Sequence, residues 1–369
     1  MGKHLHIVSF NVPYPADYGG VIDVFYRIKA LSEAGVAIHL HCFQYGREKA
    51  EELEKLCASV NYYPRSRSLV YQFSCLPFIV KTRNAEALLD NLTADDFPIL
   101  FEGLHSCYFL GHRKLAKRNK LVRCHNVEHH YYDGLAGKAS NFKERFYFKL
   151  ETGKLRRFEK ILDHASHIVA ISAADRDYFM SKYGKTLLMP PFHPGDEAQI
   201  KEGRGSFILY HGDLSTQENT EAVLFILKDI APYINFPLKI VGKNPSLEIL
   251  EKAAGIKHVE VIANPDHERM QQLVSDAQIN LLPTFQATGF KLKLLNALFN
   301  GRFCVGTPQL VEGTGLEAAC EIASDASGIK ALLETLIKQD YSAAMIEKRK
   351  ALLDQQTNSA YITELISLF

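Results

Sequence analysis

The chain lacks the sequence features that mark several large classes of protein. Its 369 residues contain no uninterrupted apolar run of about 18 residues, so no membrane-spanning helix is predicted. Its seven cysteines are scattered without a C-x-x-C pair, which argues against a zinc site or a disulfide framework and predicts mostly buried free thiols. Its net charge of +1 gives no overall attraction for nucleic acid, and we expect no nucleic-acid partner.

What the chain does have is the composition of a globular protein. Apolar residues make up 47% and charged residues 23% of the sequence, and the length allows two domains, each with its own core. The first predicted strand begins at His4, with no signal-peptide pattern ahead of it. We therefore expect a cytoplasmic location.

Short apolar runs alternate with helical patterns along the whole sequence. Seven predicted strands precede a stretch at 192–205 that is rich in proline, glycine and charge, and six strands follow it. This pattern predicts an α/β protein with two parallel sheets, each covered by helices on both faces, and a linker between them. The predicted strands are 4–10, 37–43, 60–63, 98–102, 120–125, 167–172, 187–191, 207–210, 238–241, 259–262, 279–282, 303–305 and 321–323.

A glycine pair, Gly19 and Gly20, lies where the first predicted helix begins. Glycines at this place allow the backbone to approach a ligand closely. The dinucleotide fingerprint G-x-G-x-x-G is absent, so the pair is not evidence for a nicotinamide or flavin cofactor. It predicts either a phosphate contact or a tight turn without a ligand.

The segment 123–132 is crowded with groups that donate, accept or shuttle protons. It follows the C-terminal end of a predicted strand, the edge at which open α/β sheets bind ligands. His125 and His129 have i, i+4 spacing, but no H-E-x-x-H helix is present to complete a zinc site. We therefore predict substrate contact or capping rather than a metal.

The segment 279–301 combines a strand, a turn-rich loop and a helix that ends at Gly301. The helix N-terminus presents free N–H groups and partial positive charge, so it suits an anion. Lys291 and Lys293 are predicted in its first turn, where cations oppose the helix dipole unless an anion is bound. We predict a phosphate contact for Lys291 and a solvent-exposed position for Lys293.

Residues 141–162 form a predicted basic amphipathic helix or helix pair. The segment interleaves aromatic and aliphatic residues with seven basic and three acidic ones. Such a segment can lie on an anionic membrane surface. The alternative is a domain helix with an ordinary solvated face. We name 141–162 as the candidate for peripheral contact with the inner face of the membrane.

Taken in order, these segments resemble the GT-B glycosyltransferases, close to glycosyltransferase family 4, over essentially the whole chain. The matching segments are 15–20, 123–128, 169–172, 210–214, 240–242 and 289–301. The resemblance implies two Rossmann-like, doubly wound domains that face a central cleft. It places the acceptor-side domain at 1–195, with a final helix at about 355–369 packing back on it, and the nucleotide-sugar domain at 196–354.

The resemblance also implies an activity. It implies a retaining hexosyltransferase that moves a sugar from a nucleotide-diphosphate donor to a glycan or lipid-linked acceptor, in surface-polysaccharide or lipid-linked glycan assembly. It implies neither a metal nor a cofactor, since the nucleotide sugar is a co-substrate. His125 is then expected at the sugar, and Glu128 either partners the acceptor hydroxyl or caps a helix. The predicted donor and diphosphate contacts are Gly19, Gly20, Gly212, Lys243, Thr288, Gly289, Phe290, Lys291 and Asn296.

Departures from the family pattern leave alternatives open. Two glutamates that the family carries eight positions apart correspond here to Thr288 and Asn296. Its usual arginine and lysine phosphate contacts correspond to Asp213 and Asn219, so Lys291 must carry more of the diphosphate charge. One alternative is a GT-B-fold protein without catalysis that binds sugar or nucleotide or acts as a scaffold. Another is a nucleotide-sugar 2-epimerase, built on the same two-domain plan.

Overall fold

The computed structural model describes residues 3–139, 141–286 and 290–369, apart from the side chain of Gln355. The chain divides into two compact units. Of the described residues, the first unit contains those within 3–192, Phe290 and Tyr361–Phe369, and the second contains 193–286 and Lys291–Ala360. The sequence prediction placed these boundaries after residue 195 and near residue 355.

Seven parallel strands form the sheet of the first unit. They are β1 (His4–Ser9), β2 (Ala37–Gln44), β3 (Ser59–Pro64), β4 (Ile99–Glu102), β5 (Lys120–Cys124), β6 (His167–Ala170) and β7 (Thr186–Leu188). Their order is β3-β2-β1-β4-β5-β6-β7, so the winding direction reverses between β1 and β4. In open α/β sheets a ligand binds at the carboxyl edge of such a switch point.

Helices connect these parallel strands, as parallel pairing requires. They are α1 (Gly19–Glu33), α2 (Glu51–Leu56), α3 (Phe78–Lys81), α4 (Glu86–Leu92), α5 (Glu128–Lys138), α6 (Phe142–Phe158) and α7 (Ala173–Tyr183). Apolar residues at helical spacing, such as Val24, Ile28 and Leu31, bury one face of α1. The same helix also buries Asp23 and Arg27, a charged pair that helps to build the candidate site.

Six parallel strands form the sheet of the second unit. They are β8 (Ile208–Asp213), β9 (Leu238–Lys243), β10 (Val259–Ala263), β11 (Ile279–Leu282), β12 (Phe303–Gly306) and β13 (Glu321–Ile322). Their order is β10-β9-β8-β11-β12-β13, with the switch point between β8 and β11. The prediction of two parallel sheets, with seven and six strands, is therefore confirmed.

The remaining helices belong mainly to the second unit. They are α8 (Gln217–Phe225), α9 (Leu247–Ala254), α10 (His267–Asp276), α11 (Leu292–Asn300), α12 (Pro308–Val311), α13 (Ala326–Leu336), α14 (Ala343–Leu353) and α15 (Asn358–Ser367). A π-helical turn, Ile226–Ile230, continues α8. In α15, Tyr361 and Leu365 are buried in the apolar core of the first unit. No helix in the described part of the chain is both long and apolar enough to cross a bilayer.

Three further features concern the predicted linker, the cysteines and one glycine. The predicted linker, 192–205, contains neither a helix nor a strand, and Gly203 forms an isolated antiparallel bridge with Tyr341. All seven cysteines are unpaired, four of them are buried and Cys75 is exposed. A glycine is required at position 242, because a Cβ there would lie 1.8 Å from the carbonyl oxygen of Gly212 on the neighbouring strand.

Candidate functional site

A buried ion network lies at the carboxyl edge of the first sheet, at the switch point between β1 and β4. Arg123 of β5 donates from Nε and Nη2 to the two carboxylate oxygens of Asp23, at 3.0 and 3.1 Å. Arg27, one turn along α1, donates to Asp23 at 3.1 Å and also to Glu102 at the end of β4. All four side chains are at most 2% exposed. Two guanidinium groups balance two carboxylates, which makes this burial tolerable.

His125 sits directly on this network. Its Nε2 lies 3.2 Å from Oε2 of Glu102, and its Nδ1 lies 3.8 Å from Oδ2 of Asp23. The edge-on ring of Phe10 lies 5.7 Å away, between ring centroids. The His125 side chain is 12% exposed, so solvent or a ligand can still reach it. Glu102 therefore fixes the orientation of the imidazole that the sequence predicted at the sugar.

The ligand atoms of Asp23, Glu102 and His125 all lie within 4.8 Å of one another, which is close enough for a metal ion. The site residues nevertheless suit a metal poorly. Burial alone would raise the pKa of Asp23, but Arg123 and Arg27 outweigh it and hold this pKa well below its usual range. The two guanidinium groups already occupy the carboxylates that a metal would need. The expectation of no metal stays a prediction.

Glu128 is the first residue of α5 and is 4% exposed. Burial raises the pKa of its carboxyl to about 8, Asp175 acts in the same direction and Arg83 opposes them. Its Oε1 lies 3.7 Å from Nδ1 of His105. Glu128 is therefore largely protonated at neutral pH and able to donate a hydrogen bond. The N-cap residue of α5, Val127, makes no side-chain cap bond.

The glycine pair plays a packing role in this structure. The helix α1 begins at Gly19. A Cβ on Gly20 would lie 2.9 Å from Cζ of Phe10, the ring that packs against His125. Gly20 thus makes room for Phe10. The predicted phosphate contact of the pair stays a prediction.

In the second unit, the loop before α11 and the N-terminus of α8 bring charged groups together. Lys291 occupies the N-cap position of α11, just ahead of the helix. Its Nζ lies 2.8 Å from Oε1 of Glu218, in the first turn of α8. The lysine predicted to contact phosphate is therefore paired with a carboxylate in this structure.

The solvent-exposed position predicted for Lys293 is wrong. Its Nζ donates to Oδ1 of Asn219 at 2.9 Å and to the hydroxyl of Tyr210 at 3.4 Å. It also lies 5.2 Å from the centroid of the Tyr210 ring. The first turn of α11 packs beside α8 and β8, so this side chain is inserted between them. Burial lowers the pKa of Lys293 to about 8, with Glu218 opposing and Lys291 adding to the effect.

Asp213 at the end of β8 and Asn219 in α8 occupy the positions where the resemblance implies an arginine and a lysine. The Asp213 carboxylate accepts hydrogen bonds from the backbone N–H and the hydroxyl of Ser215, at 3.0 and 2.6 Å, so it stabilises its own turn. Asn219 donates from Nδ2 to the carbonyl of Asp213 at 2.9 Å and accepts from Lys293. Gly212 leaves room for the Asn219 side chain of α8, because a Cβ at position 212 would lie 3.0 Å from its Nδ2.

One buried group at this edge was not predicted as a site residue. His211 of β8 is 4% exposed, and its Nε2 has no hydrogen-bond partner among the residues that the structure describes. Burial lowers its pKa to about 3, and the charge of Lys293 acts in the same direction. His211 therefore stays neutral. Its position at the end of a predicted strand was the available sequence signal.

The other predicted donor contacts are less well defined. The amide oxygen of Asn296 accepts a hydrogen bond from Nδ2 of Asn300 at 3.0 Å, one turn later in α11. Lys243 ends β9, and both it and Phe290 are half-buried. Thr288 and Gly289 lie outside the described residues. All of these contacts stay predictions.

Comparison with solved structures identifies the fold of this chain. A glycosyltransferase from Rickettsia africae matches with a TM-score of 0.67 and 11% identity, over 100% of this chain and 98% of its own. The Anabaena protein HepE, solved with UDP and glucose, matches with a TM-score of 0.64 and 12% identity, over 100% and 98%. The fold is GT-B. The lipopolysaccharide outer core galactosyltransferase WaaB matches this GT-B chain with a TM-score of 0.61 and 13% identity, over 99% of each.

Sequence comparisons agree with the fold. Residues 205–354 match the family model described as glycosyl transferases group 1. A Klebsiella pneumoniae protein, described as an uncharacterized 44.6 kDa protein in the cps region, is 26% identical over 327 residues, 84% of each chain. Together the comparisons support a GT-B glycosyltransferase. Membership of family 4 and retention stay predictions.

Proposed function

We propose that this protein transfers a hexose-type sugar from a nucleotide-diphosphate donor to a glycan or lipid-linked acceptor, with retention at the anomeric carbon. The observation that carries the proposal is the half-buried ammonium of Lys293, which bonds to Asn219 beside the N-terminus of α11. The match of 205–354 to group 1 glycosyl transferases supports it, as do the UDP complexes of HepE. The cps region of the Klebsiella relative supports a role in surface-polysaccharide or lipid-linked glycan assembly.

Lys293 is suited to hold the donor diphosphate. Its described hydrogen-bond partners are neutral, an amide oxygen and a phenol, and Glu218 is bonded to Lys291 instead. A buried ammonium without a bonded carboxylate costs free energy that an anionic ligand recovers. The N-terminus of α11 adds partial positive charge at the same place. Both stabilise the negative charge that develops on the leaving diphosphate as the glycosidic bond breaks.

This assignment accounts for the departure at position 219. The family resemblance expects a lysine there, and the chain has Asn219. The ammonium of Lys293 lies 2.9 Å from the Asn219 amide oxygen, so α11 supplies a cation where α8 does not. Lys291 is a second cation, which Glu218 holds near the helix N-terminus. Activity without the usual arginine and lysine is therefore physically consistent.

On the first unit we assign the acceptor and the proton chemistry. His125, oriented by Glu102, hydrogen-bonds the donor sugar or orients the acceptor. Glu128 is protonated at neutral pH, so it donates a hydrogen bond to an acceptor oxygen rather than removing a proton. No step requires a metal or a cofactor in this scheme.

The surface of α6 supports the proposal of a peripheral membrane contact. Phe142, Phe146 and Leu150 lie one turn apart on this helix and are 80%, 56% and 50% exposed. The neighbouring 3₁₀ turn adds Leu69, Val70 and Phe73, of which Phe73 is 90% exposed. Exposed aromatic residues among basic ones suit an anionic bilayer surface. We place this face against the inner leaflet of the membrane, with the protein in the cytoplasm.

A nucleotide screen followed by a product assay tests the proposed function. UDP, GDP and their sugars are added separately, and the melting temperature of the full chain is followed; a true donor raises it. The matching sugar nucleotide is then incubated with and without glycan acceptors. Transfer only with an acceptor supports the proposal, and sugar-nucleotide product from donor alone identifies an epimerase. If no nucleotide raises the melting temperature, the proposal is contradicted and the non-catalytic scaffold is the remaining alternative.

A further inference from the structure

Two arginines near the switch point of the first sheet lack a hydrogen-bonded carboxylate in the part of the chain that the structure describes. Arg65 donates from Nε to the hydroxyl of Thr82 at 3.0 Å, and its guanidinium lies 4.2 Å from the centroid of the Tyr45 ring. Arg83 donates from Nε to the carbonyl of Phe10 at 2.9 Å and from Nη1 to the carbonyl of Ile79. Among the described residues, no carboxylate hydrogen-bonds to either arginine.

This placement is electrostatically unfavourable. Arg83 is only 4% exposed. Burial lowers its pKa to about 9, and repulsion from Arg65 adds to the effect. Burial likewise lowers the pKa of Arg65, and nearby tyrosines only partly offset it. Buried charges in proteins are usually paired with an opposite charge or held for a ligand. A bound anion would therefore stabilise these two guanidinium groups, which repel each other.

The groups beside the arginines do not supply one. The Glu128 carboxyl lies 3.7 Å from Nδ1 of His105 and is influenced by the charge of Arg83, but its pKa of about 8 leaves it largely neutral at pH 7. Nδ1 of His105 is buried without a hydrogen-bond partner among the described residues. Burial, Arg83, His125 and Arg65 all lower the pKa of His105, so it too is neutral. The cluster consequently carries net positive charge.

The cluster adjoins the predicted catalytic histidine. Arg83 holds the backbone of Phe10, the first residue after β1. The ring of Phe10 lies 5.7 Å from that of His125 and 5.6 Å from that of His105, between centroids. On the outer side, Tyr45 is 51% exposed and Arg65 is half-buried. A ligand can therefore reach Arg65 from solvent and lie close to His125.

We infer that Arg65 and Arg83 form a binding site for an oxyanion, either a phosphate or a carboxylate, carried by the acceptor. The planar guanidinium fork matches both groups. Arg65 makes the direct contact, and Arg83 behind it adds positive charge. A phosphate would come from a sugar phosphate or lipid-linked acceptor, and a carboxylate from an acidic sugar. The acceptor role rests on the proposed function, whereas binding of the anion does not.

Titrations of the full chain, without any donor, test this site. The probes are glucose 1-phosphate and glucuronate, with uncharged glucose as the reference, all at constant ionic strength, and dissociation constants are measured by ligand-observed NMR. At least one anionic probe should bind about tenfold or more tightly than glucose, and Arg65→Gln should remove about tenfold of that affinity. Arg67→Gln, an exposed arginine of the same segment, should bind like the wild type.

The results identify the chemical source of the oxyanion and can also contradict the proposed site. Preference for glucose 1-phosphate identifies a phosphate-bearing ligand, and preference for glucuronate identifies a carboxylate. Unfolding midpoints check each variant, and Arg65→Lys, which keeps the charge but loses the fork, should bind with intermediate affinity. Equal affinities of wild type and Arg65→Gln, or no preference over glucose, would overturn the inference. Because no donor is present, this outcome is independent of whether the protein transfers sugar.

Discussion

At the scale of single residues, Glu102 is the group on which the first site depends most. It is fully buried, bonds to Arg27 and lies 3.2 Å from His125. Glu102→Gln leaves a buried guanidinium without half of its counter-charge, so we expect a loss of roughly 3 kcal/mol in unfolding free energy. Urea unfolding measures it. Glu33→Gln, at a 59% exposed position, is the control and should change stability by less than about 0.5 kcal/mol. A loss below about 1 kcal/mol for Glu102→Gln would contradict the network.

Lys293 provides a second prediction at the residue scale. Burial lowers its pKa to about 8 in the ligand-free protein. A nucleotide diphosphate binds the ammonium form of Lys293, so its affinity should fall as the pH rises above about 8. Bound anion shifts this decline to somewhat higher pH. The dissociation constant of UDP between pH 6.5 and 9.5 measures the effect, and an unchanged constant across that range would count against Lys293 as the phosphate contact.

The residue scale also shows where sequence reasoning fails. The sequence pattern correctly predicted that Lys291 lies near the N-terminus of α11, because the residues that mark the start of a helix are close together in the sequence. It misplaced Lys293, because its burial depends on Tyr210 and Asn219, more than seventy positions earlier in the chain. Arg65 was not predicted as a binding residue for the same reason, since the neighbouring sequence does not indicate whether an arginine is paired with a carboxylate.

At the scale of elements, the paired strands β1 and β2 carry a row of histidines. His6 lies 2.8 Å from His41 between ring nitrogens, and His41 lies 2.8 Å from the Tyr63 hydroxyl. Burial lowers the pKa of His41 to about 3 and also lowers that of His6 and His39, although Asp95 opposes it. These rings stay neutral in the folded chain while the unfolded chain takes up protons below its ordinary pKa, near 6.5.

The sign of the resulting pH dependence follows from this difference. Because the folded-state pKa of these histidines is lowered, their neutral rings contribute their full stabilisation above pH 6.5. This stabilisation is lost as the pH falls toward 3. The urea midpoint should therefore drop between pH 6.5 and 4.5. His41→Gln should show a smaller drop, while His267→Gln, at an exposed position, should follow the wild type. A drop of equal size in His41→Gln would contradict the assignment.

The helix α6 carries the second element-scale prediction. Replacing Phe142 and Phe146 by serine removes exposed apolar area without touching the core, so the fold should persist. We expect at least a tenfold loss of binding to vesicles that contain anionic lipid, measured by co-sedimentation. Leu247→Ser, at a 75% exposed position of the second unit, is the control. Unchanged vesicle binding of the double variant would contradict the membrane face.

At the scale of the whole molecule, the sequence was sufficient to predict the fold, but it predicted only some residues of the candidate site. Buried parallel strands form short apolar runs, such as Phe303–Gly306, and these runs predicted both sheets and their strand numbers. The carboxyl edge of each sheet follows from the strand pattern, so His125 and Lys291 could be placed near it in advance. The partners Asp23 and Glu102 could not, because ion pairs between distant segments leave no periodic signal.

The central claim is that the ammonium of Lys293 holds the donor diphosphate. Isothermal titration of UDP into the full chain at pH 7 tests it most directly, with Lys293→Met compared with the wild type and with Lys252→Met, an exposed lysine of α9. The account predicts that Lys293→Met weakens UDP binding about tenfold or more and leaves uridine binding unchanged, because only the phosphate contact is lost. Equal UDP affinity in Lys293→Met and wild type would contradict it.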